Sequence, residues 1–170
     1  MKAALMKYLI TSVAVALLTG CATYQPVPEG YAGPVAKVRD TGSYVDGYTK
    51  GQIFSLMEVD GQKIKDSFMA SNKQSYGQGF TLTLDIQNRL VPIKPMSVKL
   101  RGSHITGAPI HAIASKAAGT YFTVEGIVNF TPKPDTLYLV KGELKSGASS
   151  VWIEEAESGT IVTDKVSEQQ

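Results

Sequence analysis

The chain has 170 residues, 43% hydrophobic and 19% charged, which suffices for one compact domain and is too short for two comfortable ones. Seventeen Lys and Arg stand against fifteen Asp and Glu, a balance that excludes the basic stripe of a nonspecific nucleic-acid binder and leaves DNA and RNA as unexpected partners. The single cysteine, Cys21, excludes an intramolecular disulfide and a cysteine-built metal cluster, while 16 Gly and 8 Pro suit a turn-rich globular fold.

The N-terminus reads as an address. Lys2 and Lys7 precede an apolar run from Tyr8 to Leu18 that only Thr11 and Ser12 interrupt. These are the charged and hydrophobic regions of a secretory signal, and the run falls short of the roughly 20 apolar residues of a bilayer-spanning helix. Leu18-Thr19-Gly20-Cys21 follows, and it resembles the lipobox of bacterial lipoproteins. That resemblance implies diacylglycerol on the Cys21 thiol, cleavage after residue 20 and an acyl chain, such as palmitate, on the new amino group. Two or three chains, at about 0.8 kcal/mol per buried methylene, anchor a protein durably. No cofactor is expected beyond these chains. Ala22 stands where an Asp in that family commonly signals retention in the inner membrane, so the resemblance implies an outer-membrane protein facing the periplasm. Cleavage would also discard Lys2 and Lys7, leaving fifteen positive and fifteen negative side chains.

Residues 21–33 are expected to form a lipidated tether, because Pro26, Pro28, Gly30 and Gly33 discourage regular structure. Fully extended, twelve residues reach roughly 35 to 40 Å. Tyr24 and Tyr31 either sit at the membrane interface or pack on the domain that occupies residues 34–170.

Within that domain the dominant signal has period two. A short strand is expected at 35–39. Residues 53–59 and 62–65 flank Asp60-Gly61, whose tolerance of positive φ predicts a hairpin. The polar stretch 69–79, rich in Ser, Asn, Gln and Gly, predicts a loop. Phe80, Leu82, Leu84 and Ile86 then alternate with Thr81, Thr83, Asp85 and Gln87, the pattern of a half-buried strand. Met96, Val98 and Leu100 repeat it, as do Phe122, Val124, Val128 and Phe130, where Gly126 on the apolar face marks a bulge or a close approach of two sheets. Between these, residues 109–118 read either as a short helix, with Pro109 at its first position and Gly119 as its stop, or as a strand through 110–114. Strands at 136–144, 151–155 and 160–166 complete the chain, the last two joined by Glu157-Ser158-Gly159. About eight short strands on short connections predict an antiparallel β-sandwich, immunoglobulin-like or transthyretin-like, with at most one short helix.

Chemistry-bearing motifs are sparse. His104 and His111 are close enough in sequence to meet across a turn, yet no third ligand with metal-site spacing accompanies them, so no metal is expected. Glu154 and Glu155 point to opposite faces of a strand, a poor arrangement for a working acid and base. The chain has no G-x-S-x-G elbow, phosphate loop, dinucleotide fingerprint or H-E-x-x-H, and no enzymatic activity is expected. Trp152, the only tryptophan, reads as the central packing residue of a sandwich or, less favoured, as a partner contact.

Over the last third, Val124-Glu125-Gly126, Phe130-Thr131-Pro132-Lys133-Pro134, the run from Tyr138 to Leu144 and Ser150-Val151-Trp152-Ile153-Glu154 resemble small uncharacterised envelope lipoproteins of proteobacteria. The resemblance implies a periplasm-facing β domain and supplies no catalytic residue. The expected function is a lipid-anchored binding or scaffolding module with an envelope protein partner. The alternatives are capture of a small ligand or glycan by residues 69–79 and 103–118, with Tyr76, His104 and His111 converging on a pocket, and, behind it, an envelope hydrolase.

Overall fold

The structure is a computed structural model that describes residues 23–168; the signal segment and Cys21 lie outside the described residues. Ten strands form two sheets that pack as a sandwich. The strands are β1 (Val35–Arg39), β2 (Thr41–Asp46), β3 (Lys50–Val59), β4 (Gln62–Lys63), β5 (Asn88–Pro92), β6 (Met96–Thr106), β7 (Thr123–Phe130), β8 (Leu137–Glu143), β9 (Ser149–Glu155) and β10 (Val166–Glu168). The first sheet runs β10-β9-β8-β1-β5 and the second β2-β3-β6-β7, with β4 hairpinned onto β3. All pairings are antiparallel except β1 with β8, where Val38 faces Tyr138. Among the described residues two helices accompany them, α1 (Ser67–Ser75) and α2 (Pro109–Ala117). Among the described residues no helix is long and apolar enough to cross a membrane.

Alternation explains the core. On β6, Met96, Val98 and Leu100 turn inward with Val124, Val128 and Phe130 of β7, meeting Val38, Tyr138, Val140, Val151 and Ile153 from the other sheet. Gly126 sits on that face because β10 comes close: a Cβ there would lie 2.7 Å from a Val166 methyl. The close approach read from the sequence is therefore present. The hairpin turn is also as read, with Asp60 at φ 50° and Gly61 at φ 76°.

Residues 69–79 depart from expectation, since most of the presumed loop is α1. Asp66 caps it, accepting from the Met69 N–H at 2.9 Å. Residues 80–86 depart too: Phe80 lies in a turn and the rest forms no strand and joins no sheet. Instead Ser67, Ser71 and Ser75, four residues apart on one face of α1, accept the N–H groups of Gln87, Asp85 and Thr83, each at 2.9 Å. Helical hydroxyls thus replace a neighbouring strand. This unit covers the outer face of the second sheet, where Leu82 and Phe68 close a smaller core with Ile53 and Ile105. Phe80, expected on the buried face, is 60% exposed.

A buried ion pair pins α1 to both sheets. Asp40, at the crossing from β1 to β2, takes Arg89 Nη1 at 2.8 Å and Nη2 at 2.7 Å. It also accepts from Ser55 Oγ at 2.5 Å, Ser67 Oγ at 2.6 Å and the Leu56 N–H at 3.0 Å. Both carboxylate oxygens are satisfied, the condition under which a buried charge is tolerated.

Thr23 to Pro34 forms no regular element but is not detached. Pro26 is buried, and Thr23 and Tyr24 lie against the β3–β4 hairpin. Tyr24 and Tyr31 both remain partly exposed.

Candidate functional site

At the far end of β6 the chain turns through Gly107 and enters α2. The 80–82 segment crosses so closely here that a Cβ on Gly107 would lie 2.3 Å from the Phe80 carbonyl oxygen. Gly107 N–H donates to the Thr49 carbonyl at 3.0 Å and Leu82 N–H to the Tyr48 carbonyl at 2.6 Å, which fixes the crossing. α2 begins at Pro109, as the sequence predicts, and stops before Gly119 at φ 66°. The helix reading therefore stands over the strand. None of its residues is buried, and Ile110 and Ile113 are 57% and 63% exposed.

Between α1 and α2, over the end of β6, lies a cleft of about 640 Å3. Phe68 and Asn72 of α1 form one wall, Pro109 and Ala112 of α2 the other, and Arg101 and Ile105 the floor. Tyr76, 90% exposed, stands at its edge, and His104 and Tyr121 also line it. None of the lining residues is acidic. A second depression of about 690 Å3 borders the β3–β4 hairpin, but the incoming Thr23–Tyr24 segment forms part of its wall and its charges are mixed, with Glu58, Lys63 and Asp66.

The residues singled out from the sequence divide accordingly. Tyr76 and His104 share the cleft, whereas His111 lines a separate shallow depression with Asp46 and Lys50 and stacks on Phe80 at 5.0 Å. The two histidines thus have different ring partners, since His104 packs against Tyr121 and Phe122. His104 Nδ1 accepts the Phe122 N–H at 2.9 Å, which assigns the proton of the neutral ring to Nε2. Burial, assisted by the nearby Lys50 ammonium, lowers its pKa to about 4. His104 is therefore uncharged at neutral pH. Among the described residues no group of three or more His, Cys, Asp or Glu is placed to hold a metal ion.

Trp152 lies elsewhere. Its neighbours Val151 and Ile153 enter the main core cluster, and alternation turns Trp152 to the other side of β9. The ring is nonetheless buried, lying 4.1 Å from the Lys165 ammonium, with Nε1 donating to Glu154 at 2.9 Å.

Arg101 escaped the sequence reading. Its alternation with Val98 and Leu100 marks it as outward-facing, which on an uncovered sheet means solvent; α1 covers this face instead. Its guanidinium carbon sits 4.9 Å from the Phe68 ring centroid, and its buried Nε meets no protein acceptor. Glu125, its partner across the β6–β7 ladder, is taken by Lys99 at 3.0 Å.

Comparison with known proteins assigns no role to this arrangement: no family model, no curated protein and no solved structure matches the chain.

Proposed function

We propose that the chain is a lipid-anchored binding module of the bacterial envelope, held through Cys21 in the outer membrane and facing the periplasm, and that it binds a small molecule in the cleft between α1 and α2. The observation that carries this reading is the concavity itself. A cleft of about 640 Å3 is of small-ligand size, with aromatic and aliphatic walls and a few polar groups. It lies where the sequence suggested capture of a ligand, between residues 69–79 and 103–118. The module has no reaction assigned to it.

Orientation favours the same reading. The first described residues lie beside the β3–β4 hairpin, and α2 follows the opposite end of β6, about 33 Å further along that strand. The described chain thus enters the fold at the end of β6 remote from α2, which suits a cleft that faces away from the proposed anchor.

Scaffolding of an envelope protein is the second reading. Its specific support is β2, an edge strand exposed along most of its length, with Tyr44 and Val45 uncovered. Strand addition there meets an obstacle, because the β2–β3 register breaks between Tyr44 and Asp46, and such irregularities blunt edges.

The test is native mass spectrometry of the full-chain protein extracted from membranes in mild detergent. The proposal expects a co-purifying species below roughly 1 kDa, at a mass consistent with a pocket of this class, which is lost when Ala112→Trp fills the cleft. A protein-sized companion retained by that variant would favour scaffolding instead.

A further inference from the structure

The cleft carries one cation and no compensating anion. Arg101 stacks on Phe68 and forms none of the ion pairs among the described residues, and its buried Nε has no hydrogen-bond partner there, the sole buried side-chain nitrogen or oxygen among them that is left unpaired. Leaving such a donor unmet costs about 1 to 3 kcal/mol, and native structures seldom keep one without a use. Lys99 has claimed Glu125, no lining residue is acidic and His104 is neutral, so the site is positive by the one guanidinium alone. α2 opens onto the same cleft with Ala108 as its N-cap, so no side chain caps its first-turn N–H groups. That end of the helix adds partial positive charge. Phe68, Ile105 and Ala112 supply apolar surface beside the charge.

From this combination we infer that the ligand is a small amphiphilic anion, a carboxylate, sulfonate or phosphate ester on an apolar body. Its charged group pairs with Arg101, and its body lies against Phe68, Ile105 and Ala112. This inference rests on the cleft being the binding site, and it adds the sign of the ligand's charge. A guanidinium suits the role because its planar fork matches an oxyanion and its face stays on the aromatic ring.

Two fluorescent probes of similar shape separate the inference from the reading beneath it: anilinonaphthalene sulfonate, an anion, and N-phenylnaphthylamine, its neutral counterpart. Titrated into the full-chain protein, the sulfonate should bind at least about tenfold more tightly than the amine, a difference of about 1.4 kcal/mol. Raising the salt concentration should weaken the sulfonate alone. Arg101→Gln should remove the preference by lowering the sulfonate's affinity to that of the amine, and Ala112→Trp should abolish both. Dodecanoate should displace the sulfonate, whereas inorganic phosphate at equal concentration should not. Equal affinity for the two probes, insensitive to salt and to Arg101→Gln, would overturn the anionic assignment and leave the cleft as an apolar site. Displacement by phosphate alone would overturn the amphiphile. Failure of both probes to bind would remove the ligand-binding reading itself. The salt comparison needs no variant, so it decides the matter even where Arg101→Gln does not fold.

Discussion

Asp40 is a carboxylate sealed from water, and among the described residues Arg89 is the only full positive charge paired with it. Arg89→Met would leave that carboxylate buried with neutral donors alone, so the variant should lose about 3 to 5 kcal/mol in urea unfolding, read as a lower midpoint at unchanged slope. His104 gives a prediction in pH. Its folded pKa is about 4, whereas the unfolded side chain titrates near its ordinary 6.5. Between those values the unfolded chain binds more protons, so stability should fall as pH drops from about 6.5 toward 4, by an amount on the order of 2 kcal/mol after discounting for solvent near the ring. His104→Asn, which preserves an acceptor for the Phe122 N–H, should flatten that part of the profile; an unchanged slope would show that His104 is not the titrating group. Neither residue advertised its state in the sequence. Asp40 finds Arg89 49 positions away through a tertiary crossing, and His104 is buried by Tyr121 and Phe122, which reach it only once β7 pairs with β6. Arg101 was hidden for a related reason, since alternation reports which face a side chain takes and not what covers that face.

The helix α1 and the extended segment it holds form one unit, joined by three serine hydroxyls. Ser71→Ala would strip the acceptor from the Asp85 N–H, costing about 1 to 3 kcal/mol and raising hydrogen exchange at Asp85 more than at Val98 in the main core. Equal exchange at Asp85 in the two proteins would mean that the serine contacts do not hold the segment. Gly126→Ala should displace β10 by crowding Val166, with a loss of about 1 to 3 kcal/mol that Val166→Ala largely restores. Failure of that second substitution to rescue would place the crowding elsewhere. At this scale the helix at Pro109–Ala117 was legible because Pro109 and Gly119 bracket an apolar pattern. α1 was not, because its buried face is built from serines, which composition alone assigns to loops. The spacing of Ser67, Ser71 and Ser75 was the available signal. The alternation of Leu82, Leu84 and Ile86 marked the side that is covered, but the expected strand is absent, Phe80 is exposed and the segment is held by a helix.

Across the whole molecule, alternation and turn chemistry were sufficient to indicate a sandwich, because the long strands β3, β6, β7 and β9 each carry their own inward face. The pairing of β1 with β8, and the cleft, arise from contacts between segments far apart in the chain and leave no local mark. The proposed anchor is the reverse case, resting on sequence alone at Cys21. Cys21→Ser should leave an uncleaved precursor outside the outer-membrane fraction and without incorporated palmitate; normal fractionation of that variant would contradict the anchor. In the proposal, an anchored domain would turn its cleft toward the periplasm. The most direct measurement is photo-crosslinking in intact cells from benzoylphenylalanine placed at Tyr76, on the edge of the cleft, and at Ile127, exposed on the outer face of the second sheet. The account predicts a small-molecule adduct at Tyr76, below roughly 1 kDa, and none at Ile127. A protein-sized adduct at Tyr76, or the same small adduct from both positions, would contradict it.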